Sequence, residues 1–83
     1  HTHLSGMDLS HTNLLEAQLD AADLTGAILT KANLSHASLK DAILNQAVLA
    51  NANLNWATLK QADLGDANLM GADLRGATLR WAD

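Results

Sequence analysis

The chain has no cysteine, proline, phenylalanine or tyrosine among its 83 residues. Without cysteine there is neither a disulfide framework nor a thiol site, and redox compartment leaves no mark. Two tryptophans are the whole aromatic complement, which excludes an ordinary core built on large rings. Lysine and arginine number five against nine acidic residues, a formal charge of −4. Five cations cannot form a broad phosphate-binding surface, so direct nucleic-acid binding is not expected. No apolar run is long enough for a membrane span or a signal peptide. The expectation is one small domain, residues 1–83, located in the cytoplasm and outside any membrane.

What is present is repetition. Leucine recurs at every fifth position from Leu4 to Leu79, sixteen times, and from Ala17 onward an alanine stands two residues before each one. Alanine and leucine supply 33 of the 40 hydrophobic residues. On an α-helix a five-residue step turns about 140°, which smears the leucines around the cylinder. On a flat strand they would alternate faces. Strict self-similarity at a short period is the mark of a solenoid, stabilised by stacking equal layers.

The residue before each leucine is mostly small and polar, as in Asn13, Asp23, Asn33, Asn53, Asp63, Asn68 and Asp73. The two residues after it vary, and Gly6, Gly26, Gly71 and Gly76 fall on the second. The unit reads A-[D/N]-L-x-x. In extended conformation Ala and Leu point to one side and the residue between them points away. The last two residues must then turn the chain, and glycine there suits a positive φ. His36, Trp56 and Gln61 in the same slot show that glycine is not obligatory. Repeated turning of one hand winds a coil whose layers pair as parallel strands, a β-solenoid.

These tandem units, from Ala17-Gln18-Leu19-Asp20-Ala21 to Ala77-Thr78-Leu79-Arg80-Trp81, resemble the pentapeptide-repeat family over essentially the whole chain. The resemblance implies an all-β fold, a right-handed quadrilateral parallel β-helix of about four coils, twenty residues to each. It implies a structural or protein-binding module, since most members have no assigned function. Members that inhibit DNA gyrase look like dimeric acidic rods joined through an additional C-terminal element, so DNA mimicry is the alternative function.

Departures from the pattern mark the ends. Thr2, Met7 and Thr12 stand where alanine is expected, and bulkier side chains there are predicted to close the open core. The chain opens at His1 rather than Met, so an upstream segment is expected. It stops at Asp83, one residue before the next leucine, and the uncapped coil around Leu79 to Asp83 is expected to self-associate or to meet following residues.

Positions twenty apart should stack. Asn13, Asn33, Asn53 and Asp73 form one column, and Ser38, Thr58 and Thr78 another, both read as side-chain ladders between layers. Asp23, Asp63 and Asp83 form an acidic stripe, interrupted by Ile43 and joined by Asp66 around a corner. Lys40, Lys60 and Arg80 stand beside it, above Asp20, and mutual pairing is expected. Ile28 and Val48 face solvent, with Met70 and Ala50 on the same side, Ile43 on the adjoining one and Trp81 near the open end. Ile28, Val48, Ile43, Met70 and Trp81 are therefore the candidate partner surface. The histidines do not cluster, no nucleophile–base spacing appears and a convex rod offers no pocket. No catalytic residue, metal ligand or cofactor is expected, and no protein partner can be named.

Overall fold

A computed structural model describes residues 2–83; His1, where the sequence opens, lies outside them. The chain turns a corner at every fifth residue. Each corner is closed by an amide two residues before a leucine, donating to the carbonyl of the preceding leucine, as in Ala47 N–H to Leu44 O at 3.0 Å and Ala52 N–H to Leu49 O at 3.0 Å. The second residue after each of the sixteen periodic leucines has positive φ: four are glycines, and twelve, from His11 to Trp81, are not. Positive φ at the third residue alone is the type II pattern. No Val, Ile or Thr occupies this slot, where a β-branched side chain would be most strained.

Four corners complete a layer, so residue i pairs in parallel with residue i+20, as in Asp23 with Ile43 and Ile28 with Val48. We number the sides by their first units: face 1 from 2–6, face 2 from 7–11, face 3 from 12–16 and face 4 from 17–21. Where a layer lies above, the leucine amides of the repeat donate to it, Leu34 N–H to Asn53 O at 2.7 Å, and where a layer lies below, the middle residues donate to it, Asn53 N–H to Ala32 O at 2.9 Å. The ladder pairs all four faces and leaves open edges only at the two ends.

The interior is a stack of aliphatic squares. Leu24, Leu29, Leu34 and Leu39 fill one layer and Leu44, Leu49, Leu54 and Leu59 the next, all fully buried with their alanines. No polar or charged residue is buried among the described residues. The body measures 26 × 22 × 22 Å. Burial fades outward: Leu64, Leu69 and Leu74 are half-buried and Leu79 is 41% exposed.

The ends differ from expectation. Thr12 turns its hydroxyl back to the Leu9 carbonyl at 2.6 Å, but Thr2 and Met7 remain exposed and do not close the core. A threonine hydroxyl finds its nearest carbonyl more readily than it covers an apolar square.

Candidate functional site

With the core made only of Ala and Leu, any function resides on the outer faces, and their chemistry starts from one backbone group. The amide of the first residue after each leucine takes no part in the ladder. An Asp or Asn two residues earlier accepts it: Asn53 Oδ1 from Asn55 at 2.9 Å, Asp63 from Gly65 at 3.1 Å, Asn68 from Met70 at 3.0 Å. Asn13, Asn33 and Asp73 do the same with residues 15, 35 and 75. The polar column is therefore a series of local Asx turns, in place of the expected ladder between layers. The oxygen lies closer to an idle amide of its own unit than to its copy one layer away. Replacing Asn53 with alanine will strand the Asn55 amide and cost about 0.5–1.5 kcal/mol, read from the shift in urea midpoint.

Three caps are strengthened by a second donor. The Ser10 hydroxyl and amide hold Asp8 below the usual carboxylate range, and those of Thr25 do the same for Asp23. The Arg75 guanidinium and amide carry Asp73 down to about 2, through the one ion pair among the described residues, at 2.7 Å. Since folding lowers the pKa of these carboxyls, their stabilisation is complete above the unfolded carboxylate range. It is lost as pH falls from about 4 towards about 2. An acid titration followed by circular dichroism will show a fall in melting temperature across that window, smaller in Asp73→Asn.

Ile28 and Val48 pair directly across layers on face 2, with Met70, 77% exposed, beside Asn68 above them. Ile43 is on face 1 between Asp23 and Asp63, and Trp81 is at the corner of faces 4 and 1. The five candidate residues thus divide among three places. Ile43 has no apolar partner in its column and leaves the Asn45 amide uncapped. Ile43→Asn will supply that cap and raise stability by about 0.5–1 kcal/mol, whereas Val48→Asn also breaks an apolar cross-strand pair and will come out near neutral.

The acidic residues are partly assembled. Asp63 and Asp66 line an open depression of about 430 Å³ with Thr25, Asn45, Gln46 and Gly65, so the surface is not uniformly convex as expected. Gly65 makes the dip: a Cβ there would come within 3.1 Å of Asn45 Oδ1, which accepts the Gly65 amide. Asp23 is two layers below Asp63, and Asp83 is on the layer above it, where Leu64 N–H donates to its carbonyl. No group of three or more His, Asp or Glu among the described residues is placed to hold a metal.

The basic column departs most from expectation. Lys40, Lys60 and Arg80 form no ion pair with the neighbouring acidic stripe. Trp81 instead turns its ring to them, 4.4 Å from the Arg80 guanidinium and 5.2 Å from the Lys60 ammonium, while staying 61% exposed. The flat indole face stands at the same corner as these two cations and offers them a π surface. At the other corner of face 4, Trp56 is 64% exposed and lies over Gly76, where a Cβ would stand 2.5 Å from the indole. The signal for this contact is a glycine twenty residues after a tryptophan.

Rotating pentads, four stacked ladders and an aliphatic interior define a quadrilateral parallel β-solenoid. The sequence matches the family described as pentapeptide repeats, in eight copies over residues 1–26, 27–66 and 52–83. The chain belongs to that family and has its right-handed quadrilateral β-helix. It is similar to a pentapeptide repeat protein of the Arabidopsis thaliana thylakoid lumen, at 30% identity and a TM-score of 0.74 over 98% of this chain and 60% of that one. A pentapeptide repeat protein of the cyanobacterium Cyanothece is 34% identical, with a TM-score of 0.59 over the same shares. One from Nostoc is 33% identical, with a TM-score of 0.64 over 84% of this chain and 58% of that one. The chain spans about 60% of the length of these structures. No curated protein matches it. The family is generally non-catalytic, and no helix among the described residues is long and apolar enough to cross a membrane.

Proposed function

We propose that this domain is a rigid protein-binding module with no chemistry of its own. The observation that carries the reading is the separation of roles between inside and outside. Every fully buried side chain among the described residues is Ala or Leu, so none of their acids, bases or nucleophiles is desolvated as catalysis requires. The outer faces hold side chains at fixed spacing on a frame with little freedom to rearrange, which lowers the entropy cost of binding. The Ile28–Val48 pair with Met70 is the apolar surface that a protein partner would cover. Without cysteine, the module presents the same surface in reducing cytoplasm or in an oxidising lumen.

The C-terminal layer supports a second contact of the same kind. The amides of Leu69, Leu74 and Leu79 find no acceptor among the described residues, and a strand edge beside a half-exposed Leu79 favours pairing with another copy or with residues that follow Asp83. Light scattering that finds only monomers would remove the pairing between copies.

Partner retention by the immobilised domain tests the main reading. Ile28→Asp and Val48→Asp will abolish it with the circular dichroism spectrum unchanged. DNA mimicry predicts another pattern: supercoiling by gyrase inhibited at low salt, and inhibition lost when Asp23, Asp63 and Asp66 are neutralised. That second pattern would replace the proposal. Against it stand the break at Ile43 and the unpaired cations beside the stripe, which blunt the negative field.

A further inference from the structure

The repeat shows on face 4 what its own caps bind. Where face 4 has Ser38 in place of Asp or Asn, the Lys40 amide is not left open. Asp20, from the layer below, turns a carboxylate oxygen upward and accepts both the Lys40 amide, at 3.1 Å, and the Ser38 hydroxyl. A hydroxyl two residues before a free amide is thus a carboxylate receptor, and this chain fills it once with its own aspartate.

The same pairing of hydroxyl and amide recurs in the next two layers without a carboxylate of this chain beneath it. Thr58 and Thr78 replace Ser38, and the amides of Lys60 and Arg80 replace that of Lys40. Neither threonine hydroxyl and neither amide has a hydrogen-bond partner among the described residues. The residue below each site, where Asp20 would stand, is Lys40 or Lys60. It cannot accept a hydrogen bond, and its charge attracts the group that could. Lys60 and Arg80 flank the two sites, form no ion pair and bracket the exposed Trp81 ring, with Trp56 at the opposite corner. Both cations stay unneutralised in a chain whose formal charge is −4.

We propose that the strip formed by Thr58, Lys60, Thr78, Arg80 and Trp81 binds an acidic segment of a partner protein, with carboxylates seated on the Lys60 and Arg80 amides as Asp20 is seated on Lys40. Adjacent seats lie one layer apart, about 4.8 Å, and Asp or Glu side chains at alternate positions of an extended strand, about 6.6 Å apart at the backbone, converge on them. The lower half of the face carries Asp20 and Asp41, so the segment is confined to the upper two layers. The aromatic corner favours an apolar residue beside the acids. This deepens the reading of a protein-binding module but uses face 4, on the opposite side of the quadrilateral from the Ile28–Val48 pair on face 2.

The test is amide chemical-shift mapping on the intact chain with a synthetic peptide of alternating Glu and Leu, against the same peptide with Gln for Glu. The Glu peptide will move the Lys60 and Arg80 amides and leave the capped Asn55 and Gly65 amides in place, and the Gln peptide will do neither. Thr58→Asn with Thr78→Asn fills both amides internally without changing charge. It will weaken binding at least about tenfold, the weight of one charge-assisted hydrogen bond, with stability unchanged or raised. Lys60→Gln with Arg80→Gln will weaken it comparably. Binding that survives the asparagine pair, or that heparin matches on the same amides, is a diffuse response to polyanions and overturns the proposal. Shifts confined to the Leu79 edge would assign the peptide to the open coil and overturn it too. Neither outcome bears on Ile28 and Val48, which no variant touches.

Discussion

Replacing Leu44 with alanine will destabilise the domain by about 2–5 kcal/mol, the largest effect expected of any single side chain. Leu44 is fully buried in a square with Leu49, Leu54 and Leu59, and the squares of Leu24 and Leu64 stand below and above it. Every neighbour is fixed by a corner hydrogen bond and by ladder bonds to two layers, so the vacated space cannot collapse. Leu79→Ala removes the same atoms from a residue 41% exposed at the last layer and will cost far less. Urea unfolding of both variants measures the contrast in midpoint. Ala47→Leu completes the argument from the other side, because a fully buried methyl slot that must accept an isobutyl group forces the ladder apart, at about 1–3 kcal/mol. If Leu44→Ala and Leu79→Ala cost the same, the interior is not a stack of fixed layers.

The period of five was enough to read the architecture because backbone and core obey the same count. Ala and Leu two apart fill the square, two further residues make the corner, and the register i to i+20 follows once there are four corners. What the period could not show is how side chains settle within one unit. Asn33 and Asn53 stack as expected, but each oxygen turns to the idle amide two residues on, a choice between two nearby donors that spacing alone does not decide. Lys60 and Arg80 stand beside the acidic stripe as expected, and their preference for the Trp81 face depends on where an indole lies at a corner. Asp20 rising to the Lys40 amide was equally hidden, because it joins residues twenty apart through a backbone group that no sequence pattern displays. The partner surface is the least legible part, since exposed Ile28 and Val48 satisfy a strand face as well as they satisfy a partner.

Lys31 to valine and Lys31 to glycine will move stability in opposite directions, although both remove the same charge from the same exposed corner. Lys31 has φ of 58° and forms no ion pair, so neither variant loses a contact that the other keeps. Valine brings a branched Cβ against the carbonyl that the left-handed conformation already crowds, and strain of this kind costs about 1–3 kcal/mol. Glycine removes the Cβ altogether but adds freedom to the unfolded chain, so Lys31→Gly will lie between neutral and a gain of about 1 kcal/mol. The comparison isolates the backbone, because the Lys31 corner closes with the same Ala-to-Leu hydrogen bond as its neighbours, Ala32 N–H to Leu29 O at 3.0 Å. It also accounts for which residues the slot holds here: His, Glu, Lys, Asp, Gln, Asn, Ala and Trp are unbranched at Cβ beyond a single carbon, and each carries positive φ in this chain. Melting temperatures of the two variants decide the matter. A valine variant as stable as the glycine one would mean that the corner relaxes out of the left-handed region, and that the rigid square frame assumed for the binding faces does not hold.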